Sequence, residues 1–106
     1  MQGLLLSAIV SCCAFSAVAS DRIEGEIALS APQCDFFVVQ TGPGFSLLRE
    51  ENYYSVFEGD QIRGSLHTLG SQEIEIVGEV TLGMTIEDWG LPLDQARKIF
   101  YSRCRQ

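Results

Sequence analysis

The sequence predicts a mainly β domain: a small antiparallel, partly closed barrel of the OB or SH3-like kind, with one C-terminal helix plugging an end. Short runs rich in β-branched and aromatic residues are separated by turns that contain glycine or proline, which is typical of such barrels. One run alternates between apolar and polar residues, and helical periodicity is confined to the C-terminal part of the chain. An open meander with the helix on one face is the alternative. The 106 residues are too few for more than one domain of this kind.

The stretch Glu73–Leu82 has the clearest strand pattern. Its two isoleucines, Val80 and Leu82 alternate with glutamates and a threonine, as in a strand with one buried and one solvated face. Only Val77 and Gly78 interrupt the alternation, and a glycine within such a pattern indicates a bulge or a tight bend. The pattern leaves open whether this stretch is one strand or two strands around Gly78.

The other predicted strands are shorter and less regular. Arg22–Leu29 alternates in the manner of an edge strand, whereas Cys34–Thr41 is apolar on both faces and is predicted to lie in the centre of the sheet. Glu50–Glu58 is either a loop with packed aromatic side chains or a short helical turn. The remaining expectations are a hairpin turn at Gly42-Pro43-Gly44, its second arm Phe45–Arg49, a turn at Gly59-Asp60, a strand over Gln61–Thr68, and a break at Gly83-Met84 before Thr85–Trp89.

A helix is predicted over Pro92–Arg103. Leu93, Ala96, Phe100 and Cys104 recur there at helical spacing, and Pro92 suits the first turn of a helix. An acidic residue lies in the first turn and basic residues gather towards the end, which is the distribution that the helix dipole favours.

The first twenty residues differ in character from the rest, because every Asp, Glu, Lys and Arg follows residue 20. An apolar run that ends in Ala17-Val18-Ala19-Ser20 predicts a secretory signal peptide over residues 1–20, followed by one domain over 21–106. The protein is therefore expected to be periplasmic or secreted. Ile9-Val10-Ser11-Cys12 also resembles a lipobox, so a small lipoprotein anchored through Cys12 is an alternative, and a retained membrane anchor is another.

Two cysteines, Cys34 and Cys104, remain after the predicted signal peptide is removed. In an oxidising compartment, an even pair near opposite ends of a small domain predicts a disulfide bond.

The formal net charge of −7 argues against a nucleic acid partner or an anionic membrane surface, because phosphate binding requires clustered Lys and Arg. Membrane association is expected only if Cys12 is lipidated. One histidine and two bonded cysteines cannot build a zinc site, and no metal or cofactor is expected. The alternation places His67 on the solvent side of a strand, and the acidic pairs Glu50-Glu51 and Glu87-Asp88 are predicted to be solvated.

Four aromatic residues in irregular segments are candidates for a binding surface: Tyr53, Tyr54, Phe57 and Trp89. Aromatic side chains often anchor partners, because they bury a large area at low entropic cost. In a domain this small they are also a main source of core, so both interpretations stay open.

The order of motifs resembles that of short secreted bacterial proteins of unknown function. Cys34–Thr41 opens a strand, Gly44-Phe45-Ser46-Leu47-Leu48 follows the turn, and Gly59-Asp60-Gln61-Ile62-Arg63-Gly64 comes next. Glu87-Asp88-Trp89 and a helix ending at Cys104 complete the pattern. The resemblance implies a periplasmic or surface location and a small β-rich fold, and it implies no activity.

We expect an exported, non-enzymatic domain that binds another exported protein or an envelope component through Glu50–Phe57 and Trp89, because the sequence offers no nucleophile–base set. A protein inhibitor of a secreted hydrolase is the alternative, since such inhibitors share the small, disulfide-held format. A small hydrolase that uses His67 with an acid is a third hypothesis.

Overall fold

The computed structural model describes residues 22–104. The predicted signal peptide and the alternative lipidation site at Cys12 lie outside the described residues. Within them no helix combines the length and the apolar content that crossing a bilayer requires. The elements are β1 (Ile23–Leu29), β2 (Phe36–Thr41), β3 (Gly44–Glu50), β4 (Gln61–Gly64), β5 (Gly70–Ile76), β6 (Val80–Leu91) and α1 (Leu93–Arg103).

The six strands form a closed barrel in the order β1-β2-β3-β6-β5-β4, and every neighbouring pair is antiparallel. The predicted small antiparallel barrel with one C-terminal helix is confirmed. The prediction that Arg22–Leu29 is an edge strand is wrong, since β1 pairs with β2 on one side and with β4 on the other. Closure removes the unpaired backbone groups that an open edge would present.

Strict antiparallel order places alternate loops at opposite ends of the barrel. One end, called the Tyr53 end, carries residues 30–35, 51–60 and 77–79. The opposite end, called the Trp89 end, carries the 42–43 turn, the 65–69 loop and the 88–92 segment where β6 ends. The hairpin turn predicted around Pro43 is present, with Thr41 paired to Gly44.

The helix lies against the outer face of β2 and β3. The prediction that it plugs one end of the barrel is therefore wrong. Successive residues of these strands explain the difference, because Phe37 and Leu48 point into the barrel while Val38 and Leu47 point outward beneath the helix. A strand that is apolar on both faces is thus covered by the barrel interior on one side and by a helix on the other. The second core contains Val38, Leu47, Leu91, Ala96, Phe100 and Cys104.

Loop side chains close the two ends of the barrel interior. Leu66, in the 65–69 loop, is fully buried in the interior core, and its carbonyl oxygen accepts a hydrogen bond from the Ser46 hydroxyl at 2.9 Å. At the opposite end, Tyr54 and Val56 pack partly buried against the same core. The predicted strand over Gln61–Thr68 is therefore too long, since β4 ends at Gly64 and the chain turns inward at Leu66.

Glu73–Leu82 is two strands joined by a tight turn, with Ile76 paired to Val80. Gly78 at the turn has a φ of +82°, a left-handed conformation that glycine adopts without steric cost. The expected break at Gly83-Met84 is wrong, because β6 runs unbroken from Val80 to Leu91. In the C-terminal half of β6 the pairing register with β3 shifts twice. Leu91, near the end of β6, packs under the helix and not inside the barrel.

Cys34 and Cys104 form the predicted disulfide bond, with their Cα atoms 5.6 Å apart and a sequence separation of 70. The bond fastens the end of α1 to the turn that precedes β2. Closing a loop of this length stabilises the folded state by about 4 kcal/mol on the chain-entropy model.

Candidate functional site

A cleft of about 440 Å³ opens at the Tyr53 end, between the 30–35 turn and the 50–57 segment. Phe37 of β2 forms part of its wall, and three of the four predicted aromatic residues line it: Tyr53, Tyr54 and Phe57. Its volume falls within the range of known ligand-binding pockets. The 50–57 segment is a loop, as one of the two sequence-based alternatives proposed.

Glu50 organises this loop. It is only 5% exposed, and its carboxylate accepts hydrogen bonds from the backbone N–H of Asn52 at 2.6 Å and of Tyr54 at 3.0 Å. Its own backbone N–H donates to the carbonyl oxygen of Asp35 at 2.8 Å, which joins the two walls of the cleft. The prediction that Glu50 is a solvated charge is wrong, because it follows the inward-facing positions Ser46 and Leu48 at period two.

The backbone of the cleft is strained at two positions. Gln33 and Tyr53 are the non-glycine residues with positive φ among the described residues, at +63° and +55°, and both line the cleft. Such left-handed conformations cost roughly 1–2 kcal/mol for a residue with a Cβ. They persist where the surroundings impose them, often at binding sites. The tips of both walls are therefore held in defined shapes.

The three cleft aromatics differ in exposure. Tyr53 is 98% exposed and Phe57 is 64% exposed, so both rings present apolar area to solvent beside the cleft. The backbone N–H of Phe57 donates to the Asp60 carboxylate at 3.1 Å, at the turn predicted for Gly59-Asp60. Tyr54 is partly buried, and so belongs largely to the core.

Tyr54 also ties the cleft loop to the β5–β6 turn. Its hydroxyl donates a hydrogen bond to the carboxylate of Glu79. That bond, together with the negative charge of Glu79, raises the pKa of Tyr54 above its usual value. The loop is thus fixed at both its backbone and its side chains.

Among residues 22–104, no Lys or Arg lines the cleft, whereas Asp35 and Glu50 do. The nearest arginine on β3, Arg49, is engaged by the carboxylates of Glu51 at 3.1 Å and Glu87 at 3.5 Å. A hydrogen bond from the Thr85 hydroxyl, reinforced by the charge of Arg49, lowers the pKa of Glu51. The charged residues that line the cleft are therefore acidic, and the rest of its lining is apolar or neutral polar.

Trp89 is not part of this cleft. It lies at the Trp89 end, where its ring stacks on His67 with ring centroids 4.8 Å apart and planes inclined by 21°. Strand order separates it from the other three aromatics, so the sequence-based surface that joined all four is divided between opposite ends. The prediction that His67 is a solvent-facing strand residue is also wrong, since it is half-buried in a loop.

His67 has a hydroxyl neighbour that the sequence did not reveal. Its Nε2 lies 3.0 Å from Oγ1 of Thr41, and that hydroxyl also donates to the carbonyl oxygen of Gly44 at 3.0 Å. The single proton of the Thr41 hydroxyl is directed at the carbonyl oxygen of Gly44. In the hydrogen bond between His67 and Thr41, Nε2–H is therefore the donor and Oγ1 the acceptor. Thr41 is 5% exposed and the His67 ring stacks on Trp89, so the pair ties the 65–69 loop to the end of β2.

Sequence reasoning found the cleft aromatics but missed Gln33, Asp35 and the buried role of Glu50. One available signal was Ala31-Pro32-Gln33-Cys34, where proline favours a turn whose next residue has a positive φ. The backbone N–H of Cys34 donates to the carbonyl oxygen of Ala31 at 3.3 Å, closing that turn.

Within residues 22–104, no cluster of three or more His, Cys, Asp or Glu side chains could hold a metal ion. Comparison of the chain with protein-family models, with curated proteins and with solved structures found no match.

Proposed function

We propose that this protein is an exported, non-enzymatic domain that binds another exported protein through the cleft at the Tyr53 end. The observation that carries the proposal is that exposed aromatic side chains and both strained non-glycine residues, Gln33 and Tyr53, meet at one cleft. A tyrosine at φ +55° and 98% exposure adds nothing to the core and costs stability. A role of Tyr53 in binding would explain why this unfavourable backbone conformation is retained.

The rigidity of the cleft supports the same proposal. The Glu50 carboxylate and the Tyr54–Glu79 hydrogen bond hold the loop, while the Cys34–Cys104 bond holds the opposite wall. A surface that is already ordered loses little conformational entropy when it binds, which favours affinity.

The test is photo-crosslinking at the tip of the cleft in cells that export the protein. Tyr53 is replaced with p-benzoylphenylalanine, and the matched control carries the same replacement at Tyr101, which is also exposed but lies on the helix. We expect one discrete adduct from position 53, none of that mass from position 101, and loss of the adduct when Phe57→Ala is added.

An adduct that forms equally from both positions, or that survives Phe57→Ala undiminished, would contradict the proposal. The variant Trp89→Ala is a second control, because Trp89 lies at the opposite end of the barrel, and we expect it to leave the adduct unchanged.

A protein inhibitor of a secreted hydrolase is the second candidate. It is favoured by one observation: a nearly fully exposed Tyr53 side chain projects from a loop that Glu50 fixes at two backbone N–H groups. Inhibition of a panel of secreted proteases and lysozymes, compared between the wild type and Tyr53→Ala, separates this candidate from simple binding.

A further inference from the structure

We propose that the segment bound in this cleft presents a Lys or Arg side chain, flanked by apolar residues, to the Asp35 side of the cleft. This inference rests on the proposed function and names the chemistry of the partner. It is carried by the charge distribution around the cleft and by the apolar and aromatic character of its walls.

The charges of the molecule are segregated along the chain. Between residues 22 and 92 there are twelve acidic side chains and three arginines, while the helix carries Arg97, Lys98 and Arg103 with one acidic residue. The three arginines of the barrel are each held in ion pairs with glutamates on its outer surface. The cations of the barrel are therefore already engaged by glutamates of the barrel itself and of the segment that follows β3.

The acidic groups of the cleft are not balanced in this way. Among the described residues the carboxylate of Asp35 has no ion-pair partner, although it is exposed at the cleft wall. Arg103 lies beyond the same wall, where its guanidinium covers the ring of Phe36 at 4.8 Å. Arg49 lines a smaller pocket beside the cleft, together with Asp35 and Tyr53, and its guanidinium is engaged by Glu51 and Glu87.

Glu50 adds a buried carboxylate next to Asp35 in the lining of the cleft. Its two oxygens accept hydrogen bonds only from neutral backbone groups, so the charge is solvated without being neutralised. A buried charge is screened less by water and salt than an exposed one, and its field therefore extends into the cleft. The two carboxylates that line the cleft are thus available to attract a cationic side chain.

The other walls suit the rest of such a side chain. Tyr53 and Phe57 expose ring surface, and Ala31, Val56 and Phe37 line the cleft as well. Lys and Arg carry an apolar stem that packs on such surface, and their cationic heads are attracted to aromatic faces. A Lys or Arg flanked by apolar residues thus matches both the charge and the walls of the cleft.

The test is selection of a random twelve-residue phage-displayed peptide library on the exported protein, followed by counter-selection on the Tyr53→Ala, Phe57→Ala double variant. Clones that bind the wild type and not the double variant depend on the cleft. We expect those clones to be enriched in Lys or Arg beside apolar residues. Circular dichroism of the double variant verifies that the barrel is intact.

The affinity of the most enriched synthetic peptide is then measured on two charge-neutralising variants. We expect Asp35→Asn to weaken binding about fivefold and Asp88→Asn, the matched removal of a charge at the Trp89 end, to change it less than twofold. Because both variants alter the net charge equally, the difference measures a local effect and not general attraction to an acidic protein.

The possible failures are distinguishable. Cleft-dependent clones without Lys or Arg, or a peptide that is indifferent to Asp35→Asn, would overturn this inference and leave the proposed function standing. If no clone distinguished the wild type from the double variant, the proposed function would fall and this inference with it.

Discussion

At the Trp89 end of the barrel the indole ring stacks on His67, and His67 in turn bonds to Thr41, so each polar or aromatic group has a neighbour within the domain. At the Tyr53 end, Tyr53 is 98% exposed on a strained backbone, and Phe57 is 64% exposed. The comparison shows a stacked aromatic residue at one end and solvent-exposed aromatic residues at the other. Composition alone cannot separate these uses, whereas exposure and backbone conformation can.

The largest expected effect concerns Leu66, which closes the Trp89 end. We expect Leu66→Ala to lower the free energy of unfolding by about 2–5 kcal/mol, because it leaves a cavity beside fully buried neighbours. The measurement is urea unfolding followed by circular dichroism. Leu69→Ala is the matched control, since Leu69 lies in the same loop but is 59% exposed. Equal losses in the two variants would mean that Leu66 does not close the barrel.

A smaller effect is expected from the stacked pair at the same end. A double-mutant cycle of His67→Ala and Trp89→Ala should give a coupling free energy of about 0.5–1.5 kcal/mol, as measured for other aromatic pairs. A cycle of Trp89→Ala with Tyr101→Ala is the control, and its two effects should add, because these residues make no ring contact. If the effects of His67→Ala and Trp89→Ala were additive, the stacked rings would not stabilise the fold, and Trp89 would not differ in this respect from the exposed aromatic residues.

The smallest expected effect concerns the stability lost to the left-handed backbone conformation of Tyr53. We expect Tyr53→Asn to raise the free energy of unfolding by about 0.5–1 kcal/mol, because asparagine adopts a positive φ more readily than tyrosine does. The same variant should weaken crosslinking or peptide binding at the cleft. Tyr101→Asn, within α1, should instead be slightly destabilising because asparagine is a poorer helix former. A loss of stability in Tyr53→Asn would show that its ring contributes to folding.

The sequence was informative wherever a single periodicity decided the structure. The helix after Pro92, the hairpin around Pro43 and the Cys34–Cys104 bond follow from spacing, turn chemistry and cysteine count. The placement of the helix did not follow, because an apolar run such as that of β2 shows that both faces are covered without showing what covers them. Barrel closure by the pairing of β1 with β4 is likewise a long-range property that no local pattern records.

The candidate site was harder to predict for the same reason. Tyr53 and Phe57 were identified as residues that could bind or pack, and their exposure favours the first use. Trp89 was wrongly grouped with them, because the sequence does not show at which end of the barrel each segment lies. Glu50 was misjudged because its neighbour Glu51 suggested a solvated pair, while strand alternation turns the first of the two inward.

The disulfide bond also constrains the order in which the molecule can be assembled. Cys104 follows Cys34 by 70 residues, so the bond cannot form until synthesis has passed every strand of the barrel. Cys34 lies in the wall of the cleft, and its partner is carried by the end of the helix. The wall of the cleft is thus locked only after the rest of the domain has been made, so a truncated chain that lacks Cys104 carries the aromatic residues without their covalent support.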